Sequence, residues 1–320
     1  MNDETLEIRF KESQKITGEI MDEVSKYFVG DREILRKILA SICASGHILL
    51  QDNPGIGKTF IAKLFSSVLG ITFRRIQFTP DLLPSDITGT KIWRTSVSEF
   101  ELMKGPIFTN LLLADEINRA PPKTQAALLE SMEESQATIE GDTMKLPMPF
   151  IVIATQNPIE FEGTYPLPEA QMDRFMMRIS FGYPQDDIEI LKRRTEWKGN
   201  DPTKMAKVVA DAKSLLDLRE LAELVFVDDA VMKYISSFSK IRTDKRVLAG
   251  PSPRGIISLL RISKAYAMVN GRDYVTPDDV KAMAISCLSH RIVLNPEDVM
   301  DEVQAEDVVK SYLEKEPVPK

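Results

Sequence analysis

Short apolar runs alternate with helical patterns through the first half of the chain. The runs are continuously apolar, and this is typical of parallel strands covered on both faces. Stretches with helical spacing separate them, so the pattern predicts an α/β fold in which helices flank a parallel sheet. The predicted strands lie at residues 47–51, 72–78, 111–114, 150–154 and 176–181.

Helical patterns dominate the two ends of the chain. Residues 1–45 carry an apolar stripe at helical spacing before Gly46, and glycine commonly ends a helix. After Pro184 the strand signal stops and the remaining sequence is helical in pattern. We therefore predict an α/β domain over residues 1–183 and a helical domain over residues 184–320.

A smaller feature interrupts the α/β pattern between Ala137 and Leu146. Gly141 and Asp142 separate two short strand-like runs there, as the central residues of a type II′ turn would. We expect a projecting hairpin at about residues 136–147.

Composition narrows the class of protein. Hydrophobic residues make up 43% and charged residues 28% of the chain, which excludes disordered and fibrous classes. The net charge of −7 argues against sequence-independent nucleic-acid binding, because that binding depends on clustered Lys and Arg. No apolar run is long enough to span a membrane and the first residues are too charged for a signal peptide, so we expect a cytoplasmic protein. Cys43 and Cys287 lie in apolar helical patterns and are expected to be buried thiols.

The most informative segment is the glycine loop after the first strand. Gly55 and Gly57 let the backbone approach a phosphate, Lys58 supplies a positive charge, and the Thr59 hydroxyl is placed to bind Mg²⁺. The pattern G-x-x-x-x-G-K-[ST] has glycine where this chain has Asp52. The simpler alternative is a chance glycine turn before a helix.

Polar residues follow two later strands. Asp115 and Glu116 come directly after residues 111–114, and Asn157 follows residues 150–154 closely. Ligands of open α/β sheets bind at the carboxyl ends of the strands. One carboxylate there can hold Mg²⁺, its neighbour can activate water, and an amide can position that water. The alternatives are a helix cap for the carboxylates and an ordinary turn for Asn157.

Four strings together resemble the MoxR family of AAA+ ATPases over about residues 18–310. They are NPGIGKT, GPIFTNLLLADEINRAPPKTQAALLESMEE, ATQNPIEFEGTYPLPEAQMDRF and SPRG. The resemblance implies a P-loop domain with a five-stranded αβα sheet and an all-helical lid. It also implies a homo-oligomeric ring, commonly a hexamer, with ATP bound between neighbours.

The resemblance assigns roles to residues at matched positions. Asp115 and Glu116 resemble the Walker B pair, and Asn157 resembles sensor 1. Arg174 resembles the arginine finger that reaches a neighbour's ATP, and Arg254 resembles sensor 2 of the lid.

Several further residues complete the predicted site. Arg178 is an alternative to Arg174 as the arginine finger. The predicted ligands of Mg²⁺ are Thr59 and Asp115. The residues predicted to contact ATP are Val29, Gly30, Asn53, Pro54, Gly55, Ile56, Gly57, Lys58, Thr59 and Phe60.

Two inserts of the family also have counterparts. Residues 92–105 resemble the helix-2 insert, entered by a turn at residues 88–90, and the Gly141 hairpin resembles the pre-sensor-1 insert. Both inserts face the ring's pore in related proteins. Trp93 and Phe100 could touch a client there, although packing onto the base of the insert is the expectation we favour.

These features predict an ATP hydrolase that acts like a chaperone on partner proteins. The family resemblance implies clients that include proteins with a von Willebrand factor A domain and metal-containing enzymes under maturation. The alternatives are a DNA-directed motor, against which the acidic composition argues, and a nucleotide-dependent scaffold without efficient hydrolysis, against which the presence of Glu116 argues.

Overall fold

The computed structural model describes residues 3–53, 55–96, 98–157, 164–183 and 186–319. Its strands are β1 (Ile48–Gln51), β2 (Phe73–Gln77), β3 (Gly89–Arg94), β4 (Glu99–Lys104), β5 (Leu111–Asp115), β6 (Gln136–Ile139), β7 (Asp142–Lys145), β8 (Ile151–Gln156), β9 (Met177–Ile179), β10 (Val247–Ala249) and β11 (Val293–Leu294). Its helices are α1 (Asp3–Ser25), α2 (Arg32–Cys43), α3 (Lys58–Val68), α4 (Pro84–Thr88), α5 (Pro122–Glu134), α6 (Glu169–Met172), α7 (Asp187–Glu196), α8 (Ala212–Leu224), α9 (Asp229–Ser237), α10 (Pro253–Val269), α11 (Pro277–Leu288), α12 (Pro296–Met300) and α13 (Ala305–Lys315).

Five parallel strands form the central sheet in the order β2-β5-β8-β1-β9. These are the five strands that the apolar runs predict. All five residues of β5 are buried, because helices cover both faces of the sheet. Gln51 pairs with Gln156, and Gln77 pairs with Asp115. The residues that follow β1, β5 and β8 therefore meet at one edge, the carboxyl edge.

The core divides into two layers that alternate along each central strand. Leu111 and Leu113 face a cluster that contains α1, α2, α3 and the lid helices. Leu112 and Ala114 face the other cluster, which contains α5. Successive side chains of a strand point to opposite faces, so a continuously apolar strand supplies both layers.

Residues 186–319 are mainly helical, as predicted. They also contain the short antiparallel pair β10 and β11, where Val247 pairs with Leu294, and a single bridge between Phe226 and Tyr274. The two extended segments β10 and β11, between the lid helices, satisfy their backbone groups by pairing. Helices α1 and α2 pack against α8 and α10. The predicted domain boundary falls at Pro184, outside the described residues, and stays a prediction.

The predicted hairpin at about residues 136–147 is present as β6 and β7, but its turn differs from the predicted one. The predicted type II′ turn at Gly141 and Asp142 is wrong, because Ile139 pairs with Asp142 and the loop residues are Glu140 and Gly141. Their φ angles are 49° and 90°, and positive φ at both central residues is the type I′ pattern.

The predicted helix-2 insert at residues 92–105 forms a second hairpin, β3 and β4, which begins earlier, at Gly89. Gly89 and Thr90 are strand residues that pair with Lys104 and Met103, not a turn that enters the insert. Gly89 has a φ of 100°, and a Cβ there would lie 2.2 Å from the carbonyl oxygen of Met103. Only glycine fits this position.

Among the described residues, none of the helices combines the length and the apolar character needed to span a membrane.

Candidate functional site

The glycine loop leads from β1 into α3. Gly55 and Gly57 have φ angles of 88° and 89°, a left-handed conformation that glycine adopts without strain. Gly57 is the N-cap of α3, which begins at Lys58, so the first backbone N–H groups of the helix face the loop. Pro54 lies outside the described residues. Asn53 donates a hydrogen bond from Nδ2 to the Tyr183 hydroxyl at 2.9 Å.

Lys58 lies between the ends of two central strands. Its Nζ donates to the carbonyl oxygens of Asp52 at 2.6 Å and Gln156 at 3.3 Å. Burial lowers the pKa of Lys58, while the carboxylates of Asp52, Asp115 and Glu116 act in the opposite direction. The ammonium is therefore held close to the acidic residues at the carboxyl edge.

Asp52, the departure from the phosphate-loop pattern, has a clear structural role. Its buried carboxylate accepts hydrogen bonds from the Ser180 hydroxyl at 2.6 Å, the Phe181 amide at 2.5 Å and the Gly182 amide at 3.3 Å. These bonds fix the chain that follows β9. Glycine at position 52 could make none of them.

The Asp115 carboxylate is held on both oxygens. Its Oδ1 accepts from the Thr155 hydroxyl at 2.6 Å, and its Oδ2 accepts from Arg75 Nε at 3.0 Å and Nη2 at 2.6 Å. Thr155 lies on β8 and Arg75 on β2, the two strands that flank β5. Sequence analysis missed both residues.

Glu116 lies directly beyond β5 in a left-handed backbone conformation with a φ of 56°. Such a conformation costs a non-glycine residue about 1 kcal/mol, and strain of this kind clusters at functional sites. Its Oε2 accepts from Gln77 Nε2 at 2.7 Å and lies 3.2 Å from Arg119 Nε. Its amide donates to the Thr155 hydroxyl at 2.8 Å.

Oxygen donors suited to Mg²⁺ are present at this edge. Mg²⁺ in nucleotide sites takes one or two protein oxygens and fills its shell with phosphate oxygens and water. The Thr59 hydroxyl and the Asp115 carboxylate match that demand. No cluster of three or more His, Cys, Asp or Glu occurs among the described residues, and a site completed by phosphate needs none. Asn157, buried, follows β8 at the same edge.

A cavity of about 420 Å³ lies beside the glycine loop. Of the predicted nucleotide contacts, Val29, Gly30, Gly55, Ile56, Gly57 and Phe60 line it. Sequence analysis missed its other aromatic walls, which are Tyr27, Phe28, Phe181, Tyr183 and Trp197. The ring centroids of Phe60 and Trp197 are 6.1 Å apart. A cavity lined by aromatic and aliphatic side chains next to a phosphate loop has the apolar chemistry that a purine base needs.

Arg174 and Arg254 lie away from the glycine loop and close to each other. Arg254 Nη1 is 2.9 Å from Glu133 Oε1, and Arg174 Nη2 is 3.2 Å from Glu133 Oε2. Both arginines therefore share one carboxylate. Arg178 instead donates to the Ser289 hydroxyl at 3.2 Å and forms an ion pair with Glu306.

This cluster of Arg174, Arg254 and Glu133 lies near the amino edge of the sheet. The Met132 carbonyl, next to Glu133, is 3.0 Å from Nε2 of His47, the residue before β1. Burial is the main cause that lowers the pKa of His47, and the positive charge of Arg254 acts in the same direction. Five steps of strand separate His47 from Asp52, so the two edges are about 16 Å apart. The structure does not bring these arginines to the phosphate loop of their own chain.

Asp173 holds the two arginine-bearing segments together. Its Oδ1 accepts from Arg291 Nε at 2.6 Å, and its Oδ2 accepts from the Ser252 hydroxyl at 3.0 Å. Ser252 is the N-cap of α10, which carries Arg254 in its first turn. The buried Arg291 also donates to the Phe175 carbonyl at 2.7 Å. Sequence analysis missed Asp173 and Arg291 as supports of the site.

The aromatic residues of the first hairpin face solvent. Trp93 pairs with Phe100 across the strands, and their ring centroids are 5.1 Å apart. They are 53% and 66% exposed, so the favoured expectation that they pack onto the base of the insert is wrong. The two hairpins are joined, because Glu140 accepts from the Thr90 hydroxyl at 3.1 Å and Lys91 pairs with Asp142.

Comparison with known proteins places this geometry in a family. Residues 47–177 match the ATPase family associated with various cellular activities (AAA), and residues 239–312 match the AAA lid domain. The chain is 43% identical to protein YeaC of Bacillus subtilis over 95% of both chains. It is 42% identical to chaperone MoxR1 of Mycobacterium tuberculosis, over 91% of this chain and 79% of that one. The crystal structure of a proposed ATPase from Cytophaga hutchinsonii superposes with a TM-score of 0.91 at 39% identity, over 99% of both chains. The matched domains, the phosphate loop and the acidic strand end agree with one another, and the chain belongs to the MoxR family of AAA+ ATPases.

Proposed function

We propose that this chain binds MgATP at the carboxyl edge and hydrolyses it to ADP and phosphate. The observation that supports this most is the convergence of Lys58, Asp115, Glu116 and Asn157 at the ends of three neighbouring strands, beside an aromatic cavity. Each of these groups alone could serve a common structural role. Together they supply a cation, a carboxylate for a metal, a base and an amide around one phosphate position.

Each residue has a defined task in this proposal. The Lys58 ammonium and the first amides of α3 bind the β- and γ-phosphates. The Glu116 carboxylate accepts the proton of the attacking water, and the Asn157 amide holds that water in line. Thr59 and Asp115 hold Mg²⁺, which neutralises phosphate charge when bound. The aromatic cavity binds the base.

The proposal places the site between subunits of a ring, with a hexamer as the expected form. Arg174 and Arg254 lie near the amino edge of the sheet, which about 16 Å of strand separates from the phosphate edge, and both remain partly exposed. A neighbour that presents its phosphate edge to this cluster would receive the positive charge that phosphoryl transfer requires. Arg178 stays the alternative arginine finger, and in this chain it pairs with Glu306 of the lid.

We further propose that hydrolysis drives a chaperone-like action on a protein client. One similar protein bears the name chaperone MoxR1, and the joined hairpins expose the aromatic pair Trp93 and Phe100. Proteins with a von Willebrand factor A domain and metal enzymes under maturation are the client classes that we propose.

Two variants test the proposed chemistry. Lys58→Ala removes the cation at the phosphates, and we expect it to abolish tight binding of fluorescent ATP. Glu116→Gln keeps the shape of the side chain but cannot accept a proton, so we expect ATP binding without phosphate release. Binding of ATP by Lys58→Ala at wild-type affinity, or rapid turnover by Glu116→Gln, would contradict the assignment.

A further inference from the structure

The cluster of Arg174, Arg254 and Glu133 has an unusual charge arrangement. Two guanidinium groups, one from the core and one from the lid, share the two oxygens of one carboxylate. The cluster therefore keeps one uncompensated positive charge. Each arginine uses a single nitrogen for Glu133, which leaves most of the five N–H donors of each arginine for a second anion.

Glu133 also holds a particular place in the chain. It lies in the last turn of α5, the helix that follows the catalytic strand end at Asp115 and Glu116 and leads into β6 of the second hairpin. Its side chain is 43% exposed, so a neighbouring subunit can reach it. Without Glu133, two like charges that face each other in partly exposed positions would separate.

We propose that Glu133 is a positioning residue for ATP hydrolysis: it holds Arg174 and Arg254 side by side so that both meet the same γ-phosphate of a neighbouring subunit. This inference rests on the proposed function. Glu133 makes no contact with the reacting atoms. It acts by cancelling the repulsion between the arginines and by fixing the lid arginine against the core arginine.

The fixed segments behind the cluster support this role. Asp173 binds Arg291 and Ser252 at once, so the backbone beside Arg174 and the start of α10 beside Arg254 cannot move apart freely. The remaining conformational freedom is that of the Arg174 and Arg254 side chains. Glu133 is the group that limits it.

The first test is Glu133→Gln, which keeps the size of the side chain and removes its charge. We expect kcat to fall by roughly ten- to hundredfold, the effect of a misplacement near 1 Å in a catalytic constellation, while KM changes less than about twofold because ground-state binding is spared. Glu134→Gln is the matched control, since Glu134 is the adjacent exposed carboxylate and bonds to Gln136. We expect it to keep wild-type turnover.

The second test separates positioning from damage to the fold. Glu133→Lys adds a third positive charge and should silence the arginine cluster while leaving the chain's own phosphate loop intact. Mixed with Glu116→Gln, it should restore activity, because some interfaces then combine an intact cluster with an intact Glu116. Mixed with Arg174→Ala, it should restore none, since both variants lack the same cluster.

Three outcomes would overturn the proposal: wild-type turnover by Glu133→Gln, restored activity in the mixture with Arg174→Ala, or no restored activity with Glu116→Gln although subunits exchange. A misfolded Glu133→Lys subunit could not supply a working Glu116, so restored activity excludes damage to the fold. Two controls separate this test from the proposed function: wild-type protein, and the mixture of Arg174→Ala with Glu116→Gln, which should regain activity if hydrolysis takes place between subunits. If wild-type protein releases no phosphate, the proposed function itself fails.

Discussion

Replacing Asp52 with glycine would complete the phosphate-loop pattern, yet we expect it to harm the protein. The buried Asp52 carboxylate accepts three hydrogen bonds from Ser180, Phe181 and Gly182. A hydrogen bond to a charged group contributes about 1.5–3 kcal/mol, and these three share one acceptor and are not additive. Allowing for the desolvation of the carboxylate that the variant avoids, we expect the free energy of unfolding to fall by about 2–4 kcal/mol.

The same change should weaken ATP binding. Phe181, Gly182 and Tyr183 line the cavity beside the glycine loop, and Asp52 fixes the backbone of two of them. Urea unfolding followed by circular dichroism gives the stability, and a fluorescent-ATP titration gives the affinity. Ser180→Ala is the matched variant: it should cost about 1 kcal/mol alone and much less in the Asp52→Gly background, because the bond is already lost there. An Asp52→Gly protein as stable as wild type, with unchanged ATP affinity, would refute this reasoning.

Three further perturbations test other parts of the structure. Burial lowers the pKa of His47 to about 4, below its value of about 6.5 in the unfolded chain. The contribution of neutral His47 to the stability of the folded state is therefore complete above pH 6.5 and is lost as the pH falls towards 4. Between pH 7 and pH 5, the free energy of unfolding of His47→Asn, measured by urea unfolding, should therefore fall by about 2 kcal/mol less than that of wild type. Equal falls in the two proteins would contradict this prediction. Thr155→Val removes the hydroxyl that joins the Glu116 amide to the Asp115 carboxylate. The free energy of unfolding should fall by about 1–3 kcal/mol, and phosphate release should slow while fluorescent ATP still binds. Normal turnover would contradict a role for this hydroxyl in positioning the two residues. Trp93→Ala should change the unfolding free energy by less than about 1 kcal/mol because the ring is exposed, whereas a loss of about 3–5 kcal/mol would indicate a packed ring.

The centre of the sheet could be predicted because β1, β5 and β8 are buried on both faces, whereas most residues of the edge strand β2 are partly or fully exposed. In an α/β pattern, a continuous apolar run such as Leu111 to Ala114 is typical of a central parallel strand. The turn at Gly141 was harder, because type I′ requires positive φ at two positions and the first is Glu140, a residue that seldom adopts it. The sequence indicated that Gly141 lies in the turn, but it did not indicate that Ile139 pairs with Asp142 across the two strands.

The supports of the candidate site depend on contacts that no local pattern contains. Arg75 reaches Asp115 only because β2 and β5 pair in one particular register. Arg291 meets Asp173 across 118 positions of the chain, and the glycine loop's Asp52 meets Ser180 in the same long-range way. The sequence could indicate candidate residues for the proposed chemistry, since their types and spacing are restricted by that chemistry. It could not name the residues that hold them.

The central claim is that ATP is hydrolysed between subunits, with Glu116 from one chain and Arg174 from the next. The most direct measurement mixes Arg174→Ala with Glu116→Gln and follows phosphate release. Each variant alone should bind ATP and release little phosphate, and loss of the arginine should cost roughly 10³–10⁵ in rate. Some interfaces in a mixed ring join an intact Glu116 to an intact Arg174, so we predict that activity partly returns. If the subunits exchange and no activity returns, Arg174 does not act on a neighbour's ATP and the account is wrong.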